Sequence, residues 1–267
     1  MKVLMIGAGN MGATYAEGMA KSNLLNNHKL QIYDKSAVKL EEAKEKGIFD
    51  VYADLKECLP KADIVFLAVK PYHKEELFEE MIPMLNDNQM FVSLMAGVTV
   101  QTIMEGLNKK KVVRAMPNLP AQIGLGMTSY TASKEVTRLE LLVVRNLLDM
   151  TGQSIHVESD KWIDASTGIS GSGPAYVFYF MNAMLEAAKK MGFSNYDSRV
   201  LVTHTFQGAV QLFNESDITP KTWMDRVASK GGTTQAALDS MEENNVKELI
   251  EEAAYAAFER AVELGLE

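Results

Sequence analysis

The stretch KVLMIGAGNMGATYAEGMA, residues 2–20, passes from an apolar run through three glycines into a helical pattern. Val3, Leu4, Met5 and Ile6 are continuously apolar, as in a parallel strand covered on both faces. Gly7, Gly9 and Gly12 follow at the spacing G-x-G-x-x-G. With a strand before it and a helix after it, each glycine has a task. The first permits a tight turn, the second lets the backbone approach a pyrophosphate, and the third lets helix and strand pack closely. The helix start adds free N–H groups and the positive end of its dipole. Ile6, Gly7, Ala8, Gly9, Asn10, Met11 and Gly12 therefore make a candidate dinucleotide cradle.

The same alternation continues outward. Strands are expected at KLQIYD (29–34), IFDVY (48–52), ADIVFLAV (62–69), QMFVSLM (89–95), KVVRAM (111–116), MTSYT (127–131) and SIHV (154–157), with helical stretches such as AVKLEEAKEKG (37–47) between them. Strand–helix alternation predicts a doubly wound, mostly parallel sheet. After Glu158 the strand pattern stops and the chain turns helical. Two domains are expected: an α/β dinucleotide-binding domain over 1–158 and an all-α domain over 159–267. In the last segment Val246, Leu249, Ile250, Ala253, Ala257, Phe258, Ala261 and Val262 keep a helical rhythm. The helix after Pro174 differs, because Val177, Phe178, Phe180, Met181, Met184 and Leu185 spread around most of its circumference. A helix apolar on every side needs cover on every side, and a helical domain of about a hundred residues supplies little. A second copy of the chain is the economical cover; the α/β half of the same chain is the alternative.

Composition narrows the function. The chain has 267 residues, 47% hydrophobic and 23% charged, with a formal net charge of −8. Without a basic stripe, nucleic acid is not an expected partner. The single cysteine, Cys58, allows neither an internal disulfide nor a cysteine metal cage. No run of eighteen apolar residues suggests a membrane span. The opening KVLMIGAG does not suit a signal peptide, so a cytoplasmic protein is expected.

Asp34 ends the second strand about twenty residues past Gly12, where a carboxylate bonds the ribose 2′-hydroxyl of NAD. Lys35 and Ser36 come next, and both suit a 2′-phosphate. NAD(H) and NADP(H) both stay open. A nicotinamide brings the hydride, and the protein supplies placement and the proton. The four histidines, His28, His73, His156 and His204, are scattered and read as surface or packing residues. No HExxH, CxxC or clustered-carboxylate motif calls for a metal. Reduction of an already protonated imine, which needs no strong base, suits this inventory.

A second glycine pair lies in SKGGTT, 229–234. A helix is expected to begin near Thr234, so that N–H groups from Gly232 to Thr234 converge as an anion nest. Ser229 adds a hydroxyl. On composition alone, Thr233 capping a helix explains the stretch equally well.

The motifs IGAGNMG (6–12), AVKP (68–71), SLMAGVTV (93–100), MPNLPA (116–121), TGISGSGPAYVF (167–178) and VASKGGTTQAAL (227–238) occur in this order over essentially the whole chain. In them the sequence resembles the pyrroline-5-carboxylate reductases, enzymes of the last step of proline synthesis. The resemblance implies a Rossmann domain followed by a helical dimerisation domain, an active site at their junction, and a homodimer or a larger homo-oligomer built on dimers. It implies that Ala68, Val69, Lys70, Pro71, Met95, Ala96, Gly97 and Asn118 line the cofactor crevice. The expected reaction is hydride transfer from NAD(P)H, with NADPH slightly favoured, to the cyclic imine 1-pyrroline-5-carboxylate. The imine carboxylate would sit on Ser229, Gly231, Gly232, Thr233 and Thr234, with Thr234 orienting the ring nitrogen or relaying its proton. GISGSGPA is implied to face the partner subunit and the substrate pocket. Two positions depart from the family pattern: Leu119 stands where threonine is expected, and Lys230 where proline precedes the double glycine. They bear on substrate range. The alternatives are a related imine or β-hydroxyacid reductase acting on another small acid, and a non-catalytic nucleotide-binding paralogue.

Overall fold

Eight strands share one sheet: β1 (Val3–Ile6), β2 (Leu30–Tyr33), β3 (Phe49–Tyr52), β4 (Ile64–Leu67), β5 (Met90–Ser93), β6 (Val112–Met116), β7 (Gly126–Ala132) and β8 (Gly152–His156). They are taken from a computed structural model, which describes residues 1–22, 25 and 30–265. His28, and Lys29 at the start of the expected second strand, lie outside the described residues. The strand order is β3-β2-β1-β4-β5-β6-β7-β8. Strands β1 to β6 pair in parallel, β7 runs antiparallel to β6, and β8 is parallel to β7. The order reverses between β1 and β4, which is where open sheets of this kind bind ligands.

The unbroken apolar runs are explained by the two faces. Val3 and Met5 of β1 enter one buried cluster with Ile32, Phe66 and Val92. Leu4 and Ile6 enter a second cluster with Val65, Leu67 and Phe91. Each such side chain contributes about 1.5–3 kcal/mol by leaving water. Helices α1 (Asn10–Ala20), α2 (Ala37–Glu45), α3 (Leu55–Cys58), α4 (Lys74–Met81), α5 (Val100–Leu107) and α6 (Arg138–Leu148) connect the strands. Strand β7 is the polar one: Thr128, Ser129 and Thr131 are all buried. Two of these hydroxyls pair inside the fold, Thr128 with the Tyr15 hydroxyl and Ser129 with Ser166.

The chain forms two compact units, residues Met1–Ser172 with Ala256–Glu267, and Gly173–Tyr255. The first unit thus extends past the change of pattern at Glu158. It includes α7 (Asp160–Ser166), which continues into a π-helical turn over Thr167–Gly171. Arg114 of β6 holds α7, its Nη1 donating to Asp160 Oδ1 at 2.8 Å and its Nη2 to Asp164 Oδ1 at 2.6 Å. The second unit contains α8 (Gly173–Lys190), α9 (Asn195–Asn214), α10 (Pro220–Val227), α11 (Thr233–Glu243) and the first turns of α12 (Val246–Leu264). Its apolar side chains are poorly covered: Phe178 is 58% exposed, and Val177, Tyr179 and Met184 are exposed beside it. Phe180, Met181 and Leu185 of the same helix are half-buried, so α8 is covered on part of its circumference only. Among the described residues, no helix is long and apolar enough to cross a membrane.

Candidate active site

At the β1–β4 switch point the three glycines of the first loop do three separate jobs. Gly7 has φ +101°, and a Cβ there would stand 2.7 Å from the Ala68 carbonyl oxygen. A Cβ on Gly12 would overlap the Gly7 carbonyl oxygen and stand 3.0 Å from Ala68 Cβ. Gly9 is the N-cap of α1 and faces open space, its missing Cβ 3.9 Å from Lys39 Nζ and near nothing else. Two glycines are thus required by the fold, and the middle one keeps room above the helix start. No side chain caps α1, and no acidic residue lies in its first turn. Open space and a helix start without a side-chain cap fit a dinucleotide pyrophosphate.

Asp34 sits beside this loop with its side chain 10% exposed. Its Oδ2 accepts from the Ala8 amide at 2.7 Å and from Lys39 Nζ at 3.3 Å, while Oδ1 accepts from the Ser36 amide at 2.8 Å. A carboxylate has about four acceptor sites, so roughly one is left for a ribose hydroxyl. Lys35 is engaged elsewhere, its Nζ lying 2.8 Å from Glu76 and 3.1 Å from Glu80 of α4. Those hydrogen bonds, Glu76 first, hold its ammonium pKa above the ordinary lysine value. Burial pushes the Tyr33 hydroxyl up to about 12, helped by Glu80, to which it donates. Ser36 occupies the N-cap of α2 without a side-chain cap bond. Lys39, one turn into α2, carries no sequence signal of its own, because only the helix turn brings its amine back to Asp34.

The other motifs expected on the cofactor side lie on strand exits of the first unit. Ala68 continues β4, its amide donating to Ile6 O at 2.8 Å, and Val69, Lys70 and Pro71 follow into a 3₁₀ turn. Met95 is buried after β5, with Ala96 half-buried next to it. At Gly97 a side chain would stand 2.9 Å from the Leu264 carbonyl oxygen. Asn118 acts as a strut. Its Nδ2 donates to Ser170 O at 3.0 Å, and its Oδ1 accepts from the Met127 amide at 2.8 Å. It therefore ties the MPN turn to the π turn and to β7, and Gly171 of that turn packs on Met116. Arg114, 2% exposed, is a further residue beyond the expected set, and its signal in the sequence is a charge in the middle of an apolar strand. Asp160, which it holds, also accepts from the Val100 amide at the start of α5.

In the second unit the SKGGTT segment forms a tight turn into α11. Gly231 has φ +72°, a conformation that favours glycine, and the Gly232 amide donates to Ser229 O at 2.9 Å. A Cβ on Gly232 would stand 2.5 Å from Ser229 Oγ, so this hydroxyl lies against the turn. Gly232, not Thr233, is the N-cap of α11, and no side chain caps that helix. The helix starts at Thr233, one residue earlier than the sequence suggested. Thr233 is exposed and Thr234 half-buried, both in the first turn. Among the described residues, no group of three or more His, Cys, Asp or Glu could hold a metal ion.

Known proteins decide the family. Residues 160–264 match the family model described as pyrroline-5-carboxylate reductase dimerisation, and residues 2–97 match one described as NADP oxidoreductase coenzyme F420-dependent. The pyrroline-5-carboxylate reductase of Pseudomonas aeruginosa is 34% identical over 266 residues, covering 98% of this chain and 96% of its own length. The chain belongs to the pyrroline-5-carboxylate reductase family. A solved pyrroline-5-carboxylate reductase from Coxiella burnetii superposes with a TM-score of 0.89 at 32% identity, covering 98% of both chains. The Plasmodium falciparum pyrroline carboxylate reductase, solved with NADP bound, gives a TM-score of 0.87 at 29% identity, covering 99% of this chain and 98% of its own. As a pyrroline-5-carboxylate reductase family member the chain is an oxidoreductase with a Rossmann-like first half. Its two departures, Leu119 and Lys230, are both exposed.

Proposed function

We propose that this chain reduces 1-pyrroline-5-carboxylate to L-proline, with the dinucleotide held on Gly7–Gly12 and the imine carboxylate on the turn before α11. When bound, the dihydronicotinamide supplies the hydride. The chain's own residues do the rest. The Gly232 amide is taken by Ser229 O, so the amides of Thr233 and Thr234 and the Ser229 hydroxyl receive the carboxylate, where each hydrogen bond to a charged group contributes about 1.5–3 kcal/mol. Thr234, in the first turn of α11, offers its hydroxyl to the ring nitrogen and fixes which face of the C=N bond meets the hydride. The imine carries its proton before reduction, so the product amine needs no strong acid. The observation that carries the proposal is the turn at 229–234: a family member keeps a positive-φ glycine and a helix start with no side-chain cap.

The residues expected at the cofactor are Ile6 to Gly12, Asp34 to Ser36, Ala68 to Pro71, Met95 to Gly97, and Asn118; of these, Lys35 is held by Glu76 and Glu80, and Asn118 by Ser170 and Met127, so neither offers its side chain freely. Residues 1–158 are taken as the dinucleotide domain and 159–267 as the dimerisation domain, supported by family matches over 2–97 and 160–264. The chain is a homo-oligomer by its dimerisation domain; a dimer covering Phe178 and Met184 is the proposed unit. A reducing cytoplasm suits the lone buried thiol of Cys58.

The test is a kinetic assay of purified protein with pyrroline-5-carboxylate and neighbouring cyclic imines, each with NADPH and NADH. Turnover of pyrroline-5-carboxylate above the other imines is expected. Thr234→Ala should lower kcat/KM by about tenfold or more, the worth of one charge-assisted bond, while cofactor Kd holds. Dinucleotide binding with no turnover of any cyclic imine refutes the proposal, and unchanged kcat/KM removes Thr234 from it.

A further inference from the structure

Three groups cluster where the adenosine ribose of a dinucleotide meets the end of β2: Asp34, Lys35 and Lys39. A 2′-phosphate brought there is strongly negative, and Asp34 repels it unless the carboxylate is already answered. It is answered three times, by the amides of Ala8 and Ser36 and by Lys39 Nζ. Lys35 is the nearer cation in sequence but not in readiness. Glu76 and Glu80 both hold it, and a phosphate drawn to Lys35 would meet their two carboxylates. Lys39 faces one carboxylate at 3.3 Å, is 43% exposed, and stands 3.9 Å from the position a Cβ on Gly9 would take. An ammonium has three N–H donors, so two remain for a ligand over the loop. Around it, α2 starts at Ser36 with no side-chain cap and no acidic residue in its first turn.

We propose that Lys39 receives the 2′-phosphate of NADP(H) and sets the preference of this chain for the phosphorylated cofactor, while Lys35 braces β2 against α4. Asp34 then serves as the anchor that aims Lys39, in place of a receptor for the ribose of NAD. This rests on the first lobe binding a dinucleotide at all.

The experiment is calorimetric titration of wild type, Lys39→Ala and Lys35→Ala with NADPH and with NADH, alongside thermal melts of the unliganded proteins. Wild type is expected to bind NADPH more tightly than NADH. Lys39→Ala should weaken NADPH about 10- to 100-fold, the loss of a charge-assisted contact, and change NADH by about twofold at most, with its melting temperature held. Lys35→Ala should produce the smaller NADPH loss. Equal weakening of both dinucleotides would assign Lys39 to the pyrophosphate and overturn the inference, as would no weakening, or the larger loss in Lys35→Ala. Wild type binding neither dinucleotide would refute the cofactor reading itself, and the inference with it.

Discussion

Gly9→Ala and Gly12→Ala each add one methyl to the same loop, and the structure expects them to fail in different ways. At Gly12 the new Cβ overlaps the Gly7 carbonyl oxygen and crowds Ala68. Backbone stands on one side and a strand exit on the other, so relief requires α1 to move off the sheet. Overpacking of this kind costs about 1–3 kcal/mol and more where backbone must shift, so about 3 kcal/mol is the working figure. For a domain of this size that lowers Tm by roughly 6–12 °C. At Gly9 the backbone has φ −72° and ψ −176°, which alanine adopts freely, and the methyl enters open space. A poorer N-cap is offset by a less flexible unfolded chain, leaving stability within about 1 kcal/mol. The methyl does occupy the space assigned to the pyrophosphate. Displacing the phosphates by about 1–3 kcal/mol weakens NADPH roughly 5- to 150-fold. Thermal melts of the unliganded variants and NADPH titrations separate the two. Gly9→Ala binding NADPH as wild type does would remove the pyrophosphate from this loop. Gly12→Ala melting within about 2 °C of wild type would contradict the packing argument.

Arg114→Met leaves Asp164, 12% exposed, and Asp160 without their cation. Breaking a buried pair costs about 3–5 kcal/mol, and Asp160, 30% exposed, places the figure at the lower end. A Tm drop of less than about 2 °C would show the pair to be idle; the companion Arg114→Met/Asp164→Asn should recover part of the loss. Burial pushes the Cys58 thiol up to about 11, so an aromatic disulfide reagent at neutral pH should react only after unfolding. The unfolded thiol ionises near pH 8.5 and the native one does not, so this contribution is whole below that pH and is lost as pH rises to about 11. Denaturant melts across that window should decline less steeply in Cys58→Ala.

The central strands are present because their runs feed two buried faces, as Val3 and Met5 on one side and Leu4 and Ile6 on the other show, whereas the edge strands β3 and β8 are held mainly by pairing to one neighbour. MTSYT was legible as a strand although its direction was not. Antiparallel pairing to β6 is decided by partners such as Tyr130 opposite Ala115, and no local pattern encodes a partner. The same limit hid the arginine clamp, whose carboxylates lie 46 and 50 residues downstream of Arg114. Lys39 was hidden for the opposite reason. It is close in sequence, but only the turn of α2 returns its amine to Asp34, five residues back. The two glycine turns were legible because a positive φ favours glycine, and Gly7 and Gly231 both have one.

Helix starts link the three anions assigned to this chain. Side chains cap α3, α5, α6, α9 and α10, through Asp54, Thr99, Thr137, Ser194 and Thr219. Helices α4 and α7 lack such a bond but carry acidic residues in the first turn. Among the described α-helices with a defined N-cap, α1, α2 and α11 have neither. A side-chain cap contributes about 0.5–2 kcal/mol, and a first-turn carboxylate about 0.3–1 kcal/mol, so each bare start leaves available stability unused. Chance omission would scatter over helices without regard to ligand. Instead the bare starts fall at the proposed pyrophosphate, the proposed 2′-phosphate and the proposed imine carboxylate. Asp34 does lie beside the starts of α1 and α2, but its charge is answered by the Ala8 and Ser36 amides and by Lys39; a side-chain cap would take the N–H groups that the ligand needs.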